Sequence, residues 1–520
     1  MATESHVDLQ WLQRRTLLKA AGAAGGLWLP GAAALAQASA ASDGNTLLVS
    51  TTTNPTSLEP MAGRINTDMI VLYALFDALI DFDPDTMELK PGIARSWTFP
   101  DPKRMVLTLA DNVLFHDGTP CDAEAVKFNL EMYRTDARSA VKGDLIDIDR
   151  VEVTGPLQVT LHLKRANFGL PTRLTYRAGL MVSPKQVKEK GAQFASAPVG
   201  SGPYKFVEFR DGDLLKVERF DKYYRAGLPK MAHIQFRIIT DANTCARTAI
   251  TGQAHIAVSL LPAQKPLGDR STVASVISHQ SLPFWGTLFN VSKAPLNDIR
   301  VRKALNHAMN RADMNRAAFV GLCEPSCTLI GKTHWAGDSV STDFYPHDID
   351  KAKQLLAEAG FPNGIDLECN AWSDQGSQQR NEVYVAQMAK ANIRIKIIPS
   401  TPAQASTFFM QGRGHMYSGP SGGIIDPGQN FDYHFGENAA RNAAKVAYPG
   451  YTELSDAVAS AGTNEARKAA LVKLNRFVVE NALMQPFVIS TTVQIVSNKV
   501  KGHKANRIGG AKWTEQSLSA

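Results

Sequence analysis

The chain has 520 residues, 44% of them hydrophobic and 20% charged, which is material for about three domains. That mix excludes a mostly disordered chain, a collagen-like repeat and a polytopic membrane protein. The net charge of +7 is spread without dense basic runs and argues against nucleic-acid binding.

Residues 11–40 come first. Arg14 and Arg15 precede an Ala/Gly-rich apolar stretch that is too short and too interrupted to span a membrane. The run from Gln13 to Lys19 resembles a twin-arginine export signal. Ala34 and Ala36, or Ala38 and Ala40, offer small-residue cleavage sites. Residues 1–40 are therefore expected to be a signal peptide and the mature chain to be periplasmic. The first cysteine is Cys121, so no lipid-anchored N-terminal cysteine is expected.

Beyond the signal, β-rich and helical runs alternate, which predicts α/β lobes. Thr46–Ser50 reads as a strand followed by a polar loop over 51–60, and Met69–Ile80 as an apolar helix. Arg104–Leu109 is a strand, and Asp122 caps a helix that buries Val126, Leu130 and Tyr133. Strand pairs are expected over 151–164 and 203–219, turning at Gly155-Pro156 and Asp211-Gly212. A helix over 297–310 is capped by Asn297 or Asp298. Another runs from Asp348 to Ala359 and stops at Gly360. A late helix from about Asn464 is closed by Pro486, and a strand follows over Phe487–Ser490.

Gly419-Pro420-Ser421-Gly422-Gly423 fits the G-x-S-x-G elbow of hydrolases. Its approach and its exit through Asp426-Pro427 do not supply the strand and helix that strain the serine, so no catalytic residue is assigned. Cys323 and Cys327 are expected to form a local disulfide in an oxidising compartment, with reduced thiols the first alternative and zinc a lesser one. No zinc, calcium or phosphate-loop motif appears, and neither metal nor cofactor is expected. What remains is aromatic and polar residues on loops at strand ends: Phe284 and Trp285, Trp372, and Arg413, Tyr417 and Ser418 beside the glycine run.

Four stretches then carry a resemblance. Residues 72–133, 198–227, 289–314 and 348–364 are similar, in order, to bacterial extracellular solute-binding proteins of family 5, the dipeptide-, oligopeptide- and nickel-binding components of ABC importers. The resemblance implies a two-lobed periplasmic-binding-protein fold with hinge strands and an inserted subdomain. Lobe one would take 45–73, 197–285 and 487–520, the insert 74–196, and lobe two 286–486. It implies no catalysis, a small solute as ligand, the importer's membrane permease as partner, and a monomer. A secreted two-lobe hydrolase and a ligand-presenting partner of a chemoreceptor are the rival readings. By the same resemblance Thr53, Asn54, Phe284, Trp285, Trp372, Arg413, Tyr417, Ser418, Gly423 and Asp426 line the cleft, with the loops 51–56, 283–286 and 413–426 facing one another. One position departs from the family. Gly423 stands where peptide-binding members place the Asp that grips a free amine, three residues before Asp426-Pro427. Ordinary peptides are therefore doubtful ligands unless Asp426 takes that part, and a carboxylate-bearing solute paired with Arg413 is as well supported.

Overall fold

A computed structural model describes residues 44–63 and 66–519; the expected signal peptide lies outside the described residues. The strands, in chain order, begin with β1 (Thr46–Thr51), then a hairpin of β2 (Ile80–Phe82) and β3 (Leu89–Pro91). A four-stranded antiparallel sheet holds β4 (Ala94–Asp101), β5 (Arg104–Leu109), β6 (Ile148–Gly155) and β7 (Gln158–Leu163), in the order β4-β5-β7-β6. Next come β8 (Tyr204–Arg210), β9 (Leu214–Arg219), β10 (His233–Ile238), β11 (Ile256–Leu260), β12 (Ala274–Phe289) and β13 (Glu324–Pro325). The last four used here are β14 (Ile365–Trp372), β15 (Ile393–Ser400), β16 (Met416–Gly422) and β17 (Met484–Ser497).

One large sheet runs β15-β14-β16-β12-β17-β11-β1-β10-β9-β8, with β13 on β17. The long β12 and β17 pair antiparallel from Ala274↔Ser497 to Leu288↔Met484 and tie its two halves together. Around them the sheet changes partners. β11 pairs with β17 as far as Leu260↔Val493, and β16 pairs with β12 from Phe289↔Met416 to Pro283↔Gly422. Parallel strands β1 and β11 in one half, and β14 and β16 in the other, therefore aim their C-terminal ends at the same place. That place is the middle of β12 and β17, where α/β sheets bind ligands.

Caps and apolar faces put the helices where expected. Asp122, Asp298 and Asp348 each accept a backbone N–H at the start of helices Ala123–Thr135, Ile299–Ala308 and Ile349–Glu358. Three expectations are corrected. The first apolar helix stops at Leu75, because Ala78 and Leu79 give their carbonyls to Ile93 and Ala94 and continue as sheet. Tertiary pairing overrides helical propensity there. Pro486 closes no helix: the late helix is Asn464–Glu480, and Pro486 lies inside β17. Residues 283–286 and 416–422, expected as loops, are paired strand in the centre of the sheet.

Candidate ligand site

At the C-terminal end of β14 a cation is enclosed by rings. Helix Gln375–Ala389, capped by Asp374 on Ser377 N, presents Arg380, which is only 7% exposed. Its guanidinium carbon lies 3.7 Å from the centre of the Trp285 ring and 5.7 Å from that of Phe319. Trp285 and Trp372 meet edge to face at 5.9 Å. Among the described residues no carboxylate lies within ion-pairing distance of Arg380, and its one side-chain hydrogen bond goes to Ser377 Oγ. Burial depresses its pKa to about 10, with Asp374 partly restoring it. A desolvated guanidinium without a counter-charge attracts an anion. The sequence reading missed Arg380, which sits inside a polar helix six residues past its cap; a basic residue in the first turns after a β-strand was the available signal.

The other expected contacts are distributed differently. Trp285 and Trp372 are half-buried beside Arg380. Tyr417 is a core residue at 1% exposure, its hydroxyl accepting from Trp372 Nε1 at 2.9 Å, so it supports that ring rather than forming a wall. Ser418 is buried against Asn381, and Phe284 lies fully buried beside His434. Arg413 is exposed, stacks on Phe408, and precedes the N-terminal end of β16, opposite the end where Trp372 lies. It does not belong to the cluster, because the parallel register carries Trp372 to the level of Gly419. Thr53 is half-buried and bonds to Thr51 Oγ1, while Asn54 is committed to the turn Asp211-Gly212 through 2.7 and 3.2 Å bonds.

Gly423 and Asp426 lie where the halves touch. Gly423 has φ of +83°, and a Cβ there would lie 2.3 Å from Asn66 Nδ2, which donates to its carbonyl. Asn66, rather than the loop 51–56, thus makes this crossing. Asp426 is 1% exposed and is already neutralised by Arg173 Nε at 3.2 Å and by Arg467. These partners outweigh burial and hold its carboxyl below the usual range. It therefore cannot also serve a ligand ammonium.

Two further expectations are settled by packing. Ser421 lies near the end of strand β16, and helix Pro427–Phe435, which Asp426 caps, follows it, so the strand–helix context doubted from sequence is present. Its hydroxyl meets His434 Nε2 at 2.6 Å, but both side chains are buried in the core, and His434 Nδ1 is held by the Asn430 carbonyl rather than a carboxylate. The expected Cys323–Cys327 bridge is not formed: both are free thiols. Cys323 packs in one cluster beside Asn315, and Cys327 in another beside Tyr345, separated by the extended β13.

This architecture is that of two-lobed periplasmic binding proteins. It matches the agropinic-acid complex of the binding protein AgaA from A. tumefaciens R10 with a TM-score of 0.80 at 21% identity, over 91% of this chain and 99% of that one. A dipeptide-binding protein from Pseudoalteromonas sp. SM9913 in complex with Met-Leu gives 0.79 at 20%, over 91% and 100%. The family model for bacterial extracellular solute-binding proteins, family 5 (middle), matches residues 88–442. The chain belongs to that family, and it is a solute-binding protein rather than an enzyme. Among its relatives, the glutathione-binding protein GsiB of Pectobacterium atrosepticum is 30% identical over 347 residues, just under two thirds (66%) of each chain. GsiB of Escherichia coli (strain K12) is 29% identical over 399 residues, 76% of this chain and 77% of that one.

Proposed function

We propose that the protein captures a small carboxylate-bearing, peptide-like solute between its halves in the periplasm and delivers it to the permease of an ABC importer. The observation that carries this is Arg380: a guanidinium 7% exposed, stacked on Trp285, with no carboxylate in reach among the described residues. The GsiB relatives are named for glutathione, a peptide with two carboxylates, and that chemistry suits an unpaired cation. With Gly423 in place of an acid and Asp426 consumed by arginines, neither position offers a free ammonium a carboxylate. Recognition thus rests on the anionic end of the ligand.

The reading takes β12 and β17 as the hinge, with 45–73, 197–285 and 487–520 as lobe one, 74–196 as its insert and 286–486 as lobe two. A solute held by both lobes favours the closed form by its differential affinity. Residues 1–40 act in this reading as the twin-arginine signal. Native mass spectrometry of the protein purified from its own periplasm tests the proposal. One small solute per chain, retained by wild type and lost from Arg380→Ala, supports it; a solute held equally by both refutes the assigned site.

A further inference from the structure

A second cation lies at the hinge itself. The C-terminal segment crosses β12, where Leu282 N donates to the Arg507 carbonyl at 3.0 Å, and then packs onto helix Met69–Leu75 through Trp513, whose Nε1 donates to the Ile70 carbonyl at 2.5 Å. This anchoring holds the Arg507 side chain at a small cavity of about 20 Å³ bordered by Gln280, Ser281, Ile330, His334 and Asn430. Gln280 and Ser281 come from the hinge, Arg507 from the segment fixed to the first half, and Asn430 from the helix after β16 in the second half. The cavity therefore lies on the seam between the halves, and its volume is that of about one water molecule.

Of the polar groups around it, Gln280 is spent on Glu324 and Thr333, whereas Asn430 and Arg507 are not used up by the protein. Asn430 is 4% exposed, and its Oδ1 has no hydrogen-bond partner among the described residues. A buried amide atom left unpaired costs free energy, and turning the amide would present Nδ2 as a donor instead. The Arg507 guanidinium has neither ion pair nor hydrogen bond among the described residues. His334 accepts from Ala336 N at Nδ1, which leaves the proton on Nε2. Burial, reinforced by the neighbouring Arg507 and opposed by Asp426, drives the His334 pKa down to about 3, so the ring is neutral. Asp426, the acid nearest in this balance, is already matched by Arg173 and Arg467. On its other side Arg507 borders a wider hollow of about 300 Å³ with His279, His503 and Lys504, whose one acid, Asp85, pairs with Lys504. The remaining acid, Glu324, is turned to Gln280 Nε2 and Lys332 N rather than to Arg507.

We infer that this seam is an anion subsite that takes one oxygen of a carboxylate of the transported solute, with Arg507 as the charge partner and Asn430 as a polar partner from the opposite half. The inference rests on the cleft reading above and deepens it: the solute would carry a carboxylate directed at the hinge. A group held there touches both halves and so favours closure, whereas a group held by one half alone does not. Arg507 lies outside the stretch 88–442 matched by the family model.

The test is thermal unfolding of the full chain in chloride-free buffer, titrated with sodium acetate or with acetamide. Wild type should gain a saturable rise of about 2 °C with acetate, the size expected when a bound ligand stabilises a chain of this length. Acetamide should give none. Arg507→Gln should abolish the rise, Arg507→Lys should keep part of it, and Arg413→Gln, at the remote end of β16, should respond like wild type. No rise in wild type, or an equal rise in Arg507→Gln, overturns the inference. A rise with sodium chloride equal to that with acetate overturns the assignment to a solute carboxylate and makes the seam a site for free inorganic anions. Acetate would also meet Arg380, so the titration is repeated in the Arg380→Ala background: a rise there that Arg507→Gln removes belongs to the hinge, and its absence leaves the Arg380 reading, tested by solute retention, standing. Failure of that reading, seen as solute retention by Arg380→Ala, leaves the acetate response of wild type in place.

Discussion

At single residues, the cation that matters is set by what encloses it. Arg413 is exposed, whereas Arg380 is desolvated between aromatic rings, and an ion pair made in a dry site resists solvent screening. Once the solute is identified, Arg380→Ala should weaken its binding by about 2–5 kcal/mol and Trp285→Ala by roughly 2 kcal/mol. Arg413→Ala should leave calorimetric affinity unchanged, and a comparable loss there would reverse the assignment. The cysteines carry a second prediction. All five are buried and free, and burial pushes the Cys323 thiol up to about 11, so they should be inert in the folded protein. Thiol titration of unreduced protein in denaturant should find five; three would restore the Cys323–Cys327 bridge.

Among elements, the decisive contact is the one that helix Pro427–Phe435 makes through its own cap. Asp426 caps that helix on Gly428 N while binding Arg173 from the insert and Arg467 from helix Asn464–Glu480. Removing it leaves buried Arg467 without its ion pair and buried Arg173 with only the longer 3.8 Å contact to Asp147. Asp426→Ala should cost about 3–5 kcal/mol in urea unfolding, and a variant as stable as wild type would show that the clasp contributes nothing. Because the folded-state carboxyl is held low, this contribution is present above the ordinary carboxylate range and is lost as pH falls through the depressed value.

Elements also show what the sequence made legible. Capped helices such as Ile349–Glu358 were readable because Asp348 and the apolar face agree. The hairpin of β8 and β9 was readable from its Asp211-Gly212 turn. The hinge strands were not. Pro283, Gly286 and Pro486 read as breaks, yet all three lie in β12 or β17, where the register shifts around Gln280–Gly286 absorb the missing or misplaced pairings. For the same reason Trp285 was legible as an aromatic of the candidate site but not as a strand residue. Its partner Arg380 escaped notice because only tertiary structure brings position 380 to position 285.

For the molecule as a whole, buried histidines predict the response to acid. His116, His434 and His503 are driven to about 4 and His334 to about 3, in each case chiefly by burial. Burial lowers His255, His307 and His415 as well. Below their unfolded value of 6.5 the unfolded chain binds protons that the folded chain refuses, so each contributes a slope of up to about 1.4 kcal/mol per pH unit, with stability falling as pH falls. Asp144, raised to about 6 by burial, begins to oppose this near pH 6. Urea midpoints should therefore drop between pH 7.5 and 6, and a flat or rising profile over that window would contradict the burial of these rings.

The central claim is closure on a solute at the convergence of the strand ends. It is tested most directly by single-molecule energy transfer between dyes on Asp213→Cys and Ser373→Cys, positions exposed at the cleft-facing ends of the two halves. The native thiols are buried and should stay unlabelled. Adding the small-molecule extract of the protein's own cells should shift wild type to a single high-transfer population and leave the doubly substituted Trp285→Ala, Arg380→Ala chain unmoved. Transfer that is the same with and without extract in wild type, or a shift of equal size in the substituted chain, would contradict the account.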